Sequence, residues 1–60
     1  MRFEVYQDRI GEWRWRLRAA NNTDIIAVSS EGYSSEHNCL HSIGLVMDTN
    51  RSTPIFKTTS

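Results

Sequence analysis

From Glu12 to Arg18 the chain reads Glu-Trp-Arg-Trp-Arg-Leu-Arg, so every second side chain is large and apolar and, after Glu12, the others are arginines. A period of two belongs to a β-strand, and it puts Trp13, Trp15 and Leu17 on one face and Arg14, Arg16 and Arg18 on the other. Upstream, Arg2 to Asp8 alternates Phe3, Val5 and Gln7 against Glu4, Tyr6 and Asp8. Parity decides how the two segments pair. A three-residue connection Arg9-Ile10-Gly11, with Gly11 in the left-handed conformation, sets Val5 opposite Trp15, Phe3 opposite Leu17, Tyr6 opposite Arg14 and Glu4 opposite Arg16. A two-residue loop would place Phe3 opposite Arg16 and mix the faces, so the pattern selects the longer turn. Asp8 then stands opposite Glu12, a small like-charge cost at the mouth of the hairpin.

Asn21-Asn22-Thr23 signals a turn, after which Ile25-Ile26-Ala27-Val28-Ser29 reads as a short third strand. The adjacent isoleucines leave open which of them faces the core. In the polar connection from Ser29 to Ser35, Gly32 is expected to take an unusual backbone angle while Tyr33 packs its ring at the sheet edge with its hydroxyl in water. Ser34 and Ser35 are N-cap residues for a helix whose first turn carries Glu36. Between Glu36 and Thr49, residues Cys39, Leu40, Ile43, Val46 and Met47 share an arc of about 120°, the width of a helix lying on a sheet. Gly44 costs this helix about 1 kcal/mol relative to alanine, so it depends on tertiary packing. Asn50 is expected to close it in the left-handed conformation, and Pro54 to open a last strand over Ile55 to Thr58. The order is β-β-β-α-β: an α+β domain over residues 1–60, with an antiparallel sheet and one helix packed on one face.

The segments Phe3-Glu4-Val5-Tyr6, Gly11 to Asn21, Ile25-Ile26-Ala27 and Glu31-Gly32-Tyr33-Ser34-Ser35 together resemble the YegP-like family of small bacterial and archaeal proteins. The match covers roughly residues 3 to 47. It departs from the family pattern at Glu36, where a basic residue is usual, and in the longer turn at Asn21. The resemblance implies a unit that occurs in pairs, as tandem repeats or as two subunits, sharing one sheet with exchanged C-terminal strands. For a single copy it implies a homodimer in which Ile55 to Thr58 crosses to the other subunit. It carries no catalytic residues over.

Size leads to a similar expectation independently. A chain of 60 residues buries only roughly 60% of the surface its unfolded form exposes, and such scaffolds need a staple. The single cysteine, Cys39, excludes an intramolecular disulfide, and His37 and His41 do not have the usual spacing of a structural zinc site, which leaves oligomerisation. Seven basic and seven acidic residues cancel, and the pI is near 6.7, so no global field draws the chain to nucleic acid or to an anionic membrane. The N-terminus lacks the pattern of a signal peptide and no apolar run approaches the roughly eighteen residues of a membrane span, so a cytoplasmic protein with a free thiol is expected.

Local chemistry concentrates on the arginine face. Arg14, Arg16 and Arg18, with Arg2 and Glu4 from the neighbouring strand, give an excess of three positive charges beside Tyr6, a ring able to stack on a base or a guanidinium. Such a face can hold a phosphate backbone. It can equally be a solvated surface on which Glu4 pairs with Arg16 and the arginine stems cover the sheet. His37 and His41 share a helix face on which a metal would bind weakly, while Cys39 points away from them into the apolar arc. No phosphate loop, nucleophile elbow or paired-carboxylate spacing is present. The sequence therefore points to a non-enzymatic, homodimeric interaction or structural module without cofactor or metal. Weak nucleic-acid binding through Arg14, Arg16, Arg18 and Tyr6 is the alternative, and an active site at the dimer seam is a third reading.

Overall fold

The computed structural model describes residues 1–58. Strand β1 (Arg2–Gln7), strand β2 (Trp13–Arg18), strand β3 (Ile25–Val28) and helix α1 (Glu36–Met47) follow one another along the chain. The three strands form one antiparallel sheet in the order β1-β2-β3.

The hairpin has the register that parity demands: Phe3 lies opposite Leu17, Glu4 opposite Arg16, Val5 opposite Trp15 and Tyr6 opposite Arg14. Gly11 takes a φ of 85°, which allows the Gly11 N–H to donate to Asp8 O at 3.0 Å and the Asp8 N–H to donate to Glu12 O at 2.9 Å. The like charges at the hairpin mouth do not confront each other. Asp8 Oδ1 accepts from the amides of Ile10 and Glu12, and Oδ2 accepts from Arg14, so this carboxylate closes the turn.

Asn22, with a φ of 61°, turns the chain from β2 into β3, assisted by Asn21 Oδ1, which accepts from the amides of Thr23 and Asp24. A register shift between Leu17 and Arg18 then pairs Arg18 with Ile25 and passes over Ile26. Neither isoleucine is buried: Ala27, opposite Leu17, packs against the core, and Val28, opposite Arg16, lies exposed on the arginine side.

Gly32 has no positive φ; the reason for a glycine there is space. A Cβ at this position would come within 3.0 Å of Glu12 Cβ and 2.5 Å of Glu12 Oε1. The close approach lets Tyr33 bridge back to Trp13 through two backbone hydrogen bonds of 2.7 and 2.8 Å, and Tyr33 packs against the core.

Ser35 caps α1, its hydroxyl accepting from the Asn38 amide. The helix ends earlier than Asn50. Asp48 is the C-cap in right-handed geometry and its N–H donates to Gly44 O at 3.1 Å, while Val46 O accepts from the Thr49 N–H at 3.1 Å and from the Thr49 hydroxyl at 2.6 Å. The helix having closed at Asp48, Asn50 does not take the left-handed conformation and instead folds a local turn, Oδ1 accepting from the Ser52 amide.

The helix rests on β1 and β2 and not on β3. Its contact with the sheet centres on three buried residues, Trp15, Cys39 and Ile43, flanked by Phe3, Val5, Trp13, Leu17, Ala27, Tyr33 and Val46. Phe3 meets Trp15 edge to face, with ring centroids 5.4 Å apart. Leu40 and Met47, expected within the apolar arc, are exposed: they share the flank of the arc away from Cys39, Ile43 and Val46, which pack on the two strands beneath the helix.

Residues 55–58 form no strand within this chain. Ile55 is 97% exposed and Phe56 81% exposed, and no neighbouring strand completes a ladder for them. The described part of the fold is therefore three antiparallel strands and one helix, an α+β arrangement, without the fourth strand.

Candidate functional site

Opposite the helix, the sheet presents side chains from β1 and β2 that alternate out of the core. β1 supplies Arg2, Glu4 and Tyr6, and β2 supplies Arg14, Arg16 and Arg18. Glu4 is the hub. Its Oε1 accepts from Arg16 Nε and from Arg18 Nε, each at 2.7 Å, and its Oε2 lies 2.9 Å from Arg2 Nη2. Arg16 is directly across the ladder from Glu4, whereas Arg18 reaches it on the diagonal, a distance long side chains span easily. Three guanidiniums on one carboxylate hold the Glu4 pKa down from the ordinary 4.5 to about 2, against a smaller opposing effect of desolvation.

A second pair completes the face. Arg14 Nε donates to Asp8 Oδ2 at 2.7 Å; that bond lowers the Asp8 pKa, with help from the two loop amides, and raises that of Arg14. Arg16 then spreads its guanidinium over the Tyr6 ring, Cζ lying 4.7 Å from the centroid. Arg18 also donates from Nη1 to Asn22 O, tying the strand end to the turn.

All four residues singled out from the sequence, Tyr6, Arg14, Arg16 and Arg18, thus sit on one face. The alternation puts Asp8 on this face too, but does not disclose its bond to Arg14. Its signal was the position at the start of a three-residue turn, where an aspartate bonds loop amides and keeps one oxygen for a neighbour. With Asp8 counted, the excess on the face falls from three positive charges to two.

The other candidate chemistry disperses. Cys39 is fully buried in the core, and burial pushes its thiol pKa up. His37 and His41 lie on the exposed side of α1, and among the described residues no group of three His, Cys, Asp or Glu side chains converges on a point. The described surface holds no cavity. Among the described residues no helix is long and apolar enough to cross a membrane.

A small α+β domain, built from a three-stranded antiparallel sheet, a single helix and an open arginine face, is what these elements define. The chain belongs to the family described as a domain of unknown function, DUF1508, whose model matches residues 8–56. It is 51% identical over 55 residues to the UPF0339 protein NMB1088 of Neisseria meningitidis serogroup B, an alignment covering 92% of this chain and 95% of that one. A UPF0339 protein of Methanosarcina acetivorans is 51% identical over 47 residues, covering 78% of each chain. A longer relative, the UPF0339 protein in the ptx operon 5' region of Stutzerimonas stutzeri, is 46% identical over 41 residues, which are 68% of this chain and 35% of that one. Bacterial and archaeal relatives of this size agree with the YegP-like resemblance carried by the hairpin and the Glu-Gly-Tyr-Ser-Ser segment. The family has no enzymatic name and no assigned biochemical activity.

Proposed function

We propose that the chain is a non-enzymatic interaction module of the cytoplasm, working without cofactor or metal as a homodimer in which residues 55–58 of each copy add a strand to the sheet of the other. The exposure of Ile55 and Phe56 carries this reading. Two adjacent large apolar side chains, 97% and 81% exposed, sit inside the span the family model matches, and a strand without a partner leaves its backbone groups unpaired.

The sheet offers a matching edge. The outer strand β1 is guarded by Arg2 and Glu4, but β3 reads Ile-Ile-Ala-Val, carries no charge and has no helix over it. An uncharged apolar edge is a template for pairing with another chain. The Stutzerimonas relative is long enough for a second such unit in one chain, the tandem counterpart of a dimer.

The test is light scattering on the eluting protein at micromolar concentration. The expected mass is twice 7.0 kDa, and Ile55→Asp with Phe56→Asp lowers it to one copy. A stable, folded monomer of the unaltered chain overturns the reading.

A further inference from the structure

We propose that the arginine face binds single-stranded nucleic acid, with the phosphate backbone along Arg14, Arg16 and Arg18 and a base stacked at the Tyr6–Arg16 pair. This inference rests on the sheet face of one copy and stands apart from the dimer.

The ion pairs on this face position the arginines more than they neutralise them. Four guanidiniums share two carboxylates, and a guanidinium has five N–H donors, so most of the donor capacity of the face is left for a ligand. Because Arg16 Nε and Arg18 Nε both lie 2.7 Å from the same Glu4 oxygen, they are no more than twice that distance apart. Two cations held side by side by a carboxylate fixed in the sheet are pre-organised, which removes part of the ordering cost that flexible arginines meet on binding. Glu4 stays ionised well below neutrality, so this arrangement persists at every physiological pH.

The shape of the face selects among anions. The three β2 arginines run along one strand for about 13 Å, a row suited to an extended polyanion and not to a compact ion. The surface is open and carries no cavity that would enclose a small molecule. Within the row, Arg16 Cζ lies 4.7 Å from the Tyr6 ring centroid, an aromatic–guanidinium pair of the kind on which the unpaired bases of single strands stack. Val28, opposite Arg16, adds an exposed apolar neighbour on the same side.

The test is fluorescence anisotropy with a short labelled single-stranded RNA of mixed sequence, titrated at several salt concentrations. Three phosphate contacts predict a slope of log affinity against log salt of about −2. Arg14→Gln with Arg16→Gln is expected to bring the slope to about −0.7 and to weaken binding at least about tenfold at low salt. Tyr6→Leu is expected to weaken binding about tenfold and leave the slope unchanged. Arg51→Gln, a charge loss outside the face, is expected to leave affinity within about twofold, as removing a non-contacting charge should. Thermal melts check that each variant is folded; should the double variant unfold, Arg16→Gln alone, with an expected slope change of about 0.7, is read in its place. Absence of binding at low salt, equal losses in Arg51→Gln and the double variant, or displacement of the RNA by polyglutamate as readily as by unlabelled RNA would each overturn the proposal. The last outcome would assign the face to acidic polypeptides.

Discussion

On one side of β2, Trp15 is packed under the helix with Cys39 and Ile43; on the other, Arg16 lies across Glu4 and over Tyr6 in contact with water. A single strand supplies both environments. The covered side is held by area removed from water together with a few directed bonds: the Trp15 indole N–H donates to Ser42 Oγ at 2.9 Å, and Ser42 Oγ donates to Cys39 O at 2.7 Å. The open side is held by charge, in short ion pairs that solvent screens. Burial therefore makes the first side intolerant of change, while the second can exchange its partners.

Removing the centre of the covered side gives the largest effect. Trp15→Ala is expected to destabilise by about 3–5 kcal/mol, which unfolds a domain of this size, as circular dichroism during urea titration will read. An unchanged midpoint would mean that the tryptophan side is not the core. Ser42→Ala leaves the buried indole N–H without its acceptor and is expected to cost about 1–3 kcal/mol in the same titration.

Gly44→Ala works in the opposite direction. A Cβ there meets nothing within 4 Å, so the substitution is expected to raise stability by about 1 kcal/mol, measured as a higher melting temperature. A lower melting temperature would show that the space beside Gly44 is not open.

The open side responds mainly to pH. Glu4 has a folded-state pKa of about 2 against an ordinary 4.5, so the unfolded chain binds the proton first as pH falls. The contribution of Glu4 to stability is complete above the unfolded value and is lost as pH drops from 4.5 toward 2; Asp8, also depressed, acts in the same sense. Melting temperatures taken across that interval should fall for the unaltered chain and fall less for Glu4→Gln. Equal slopes would mean that the guanidinium cluster around Glu4 does not form in solution.

Both faces of the hairpin were legible because a period of two, combined with a turn that needs a positive φ at Gly11, admits one register only. The Ser35 cap and the inward direction of Cys39 followed from local rules in the same way. Depth of burial was harder to read. Leu40 and Met47 belong to the apolar arc, but whether an arc is covered depends on what lies across from it, and here two strands lie beneath the helix, not three. A glycine at position 32 suggests an unusual angle, whereas its role is proximity to Glu12, a contact between segments about twenty residues apart that no local pattern encodes. On the arginine face the partners directly across the ladder could be inferred. The diagonal bonds of Arg18 to Glu4 and of Arg16 to Tyr6 depend on side-chain reach and had to be seen.

The bond between Trp15 and Ser42 also gives the molecule an optical reporter. Of its two tryptophans, Trp13 sits at the strand start beside Tyr33, while Trp15 places its indole N–H on a helix residue. Undocking of α1 would expose the Trp15 indole to water while leaving the β1–β2 ladder intact, so its emission would shift to longer wavelength before the far-ultraviolet signal of the strands is lost. Intrinsic fluorescence thus follows the seating of the helix on the sheet without any added label.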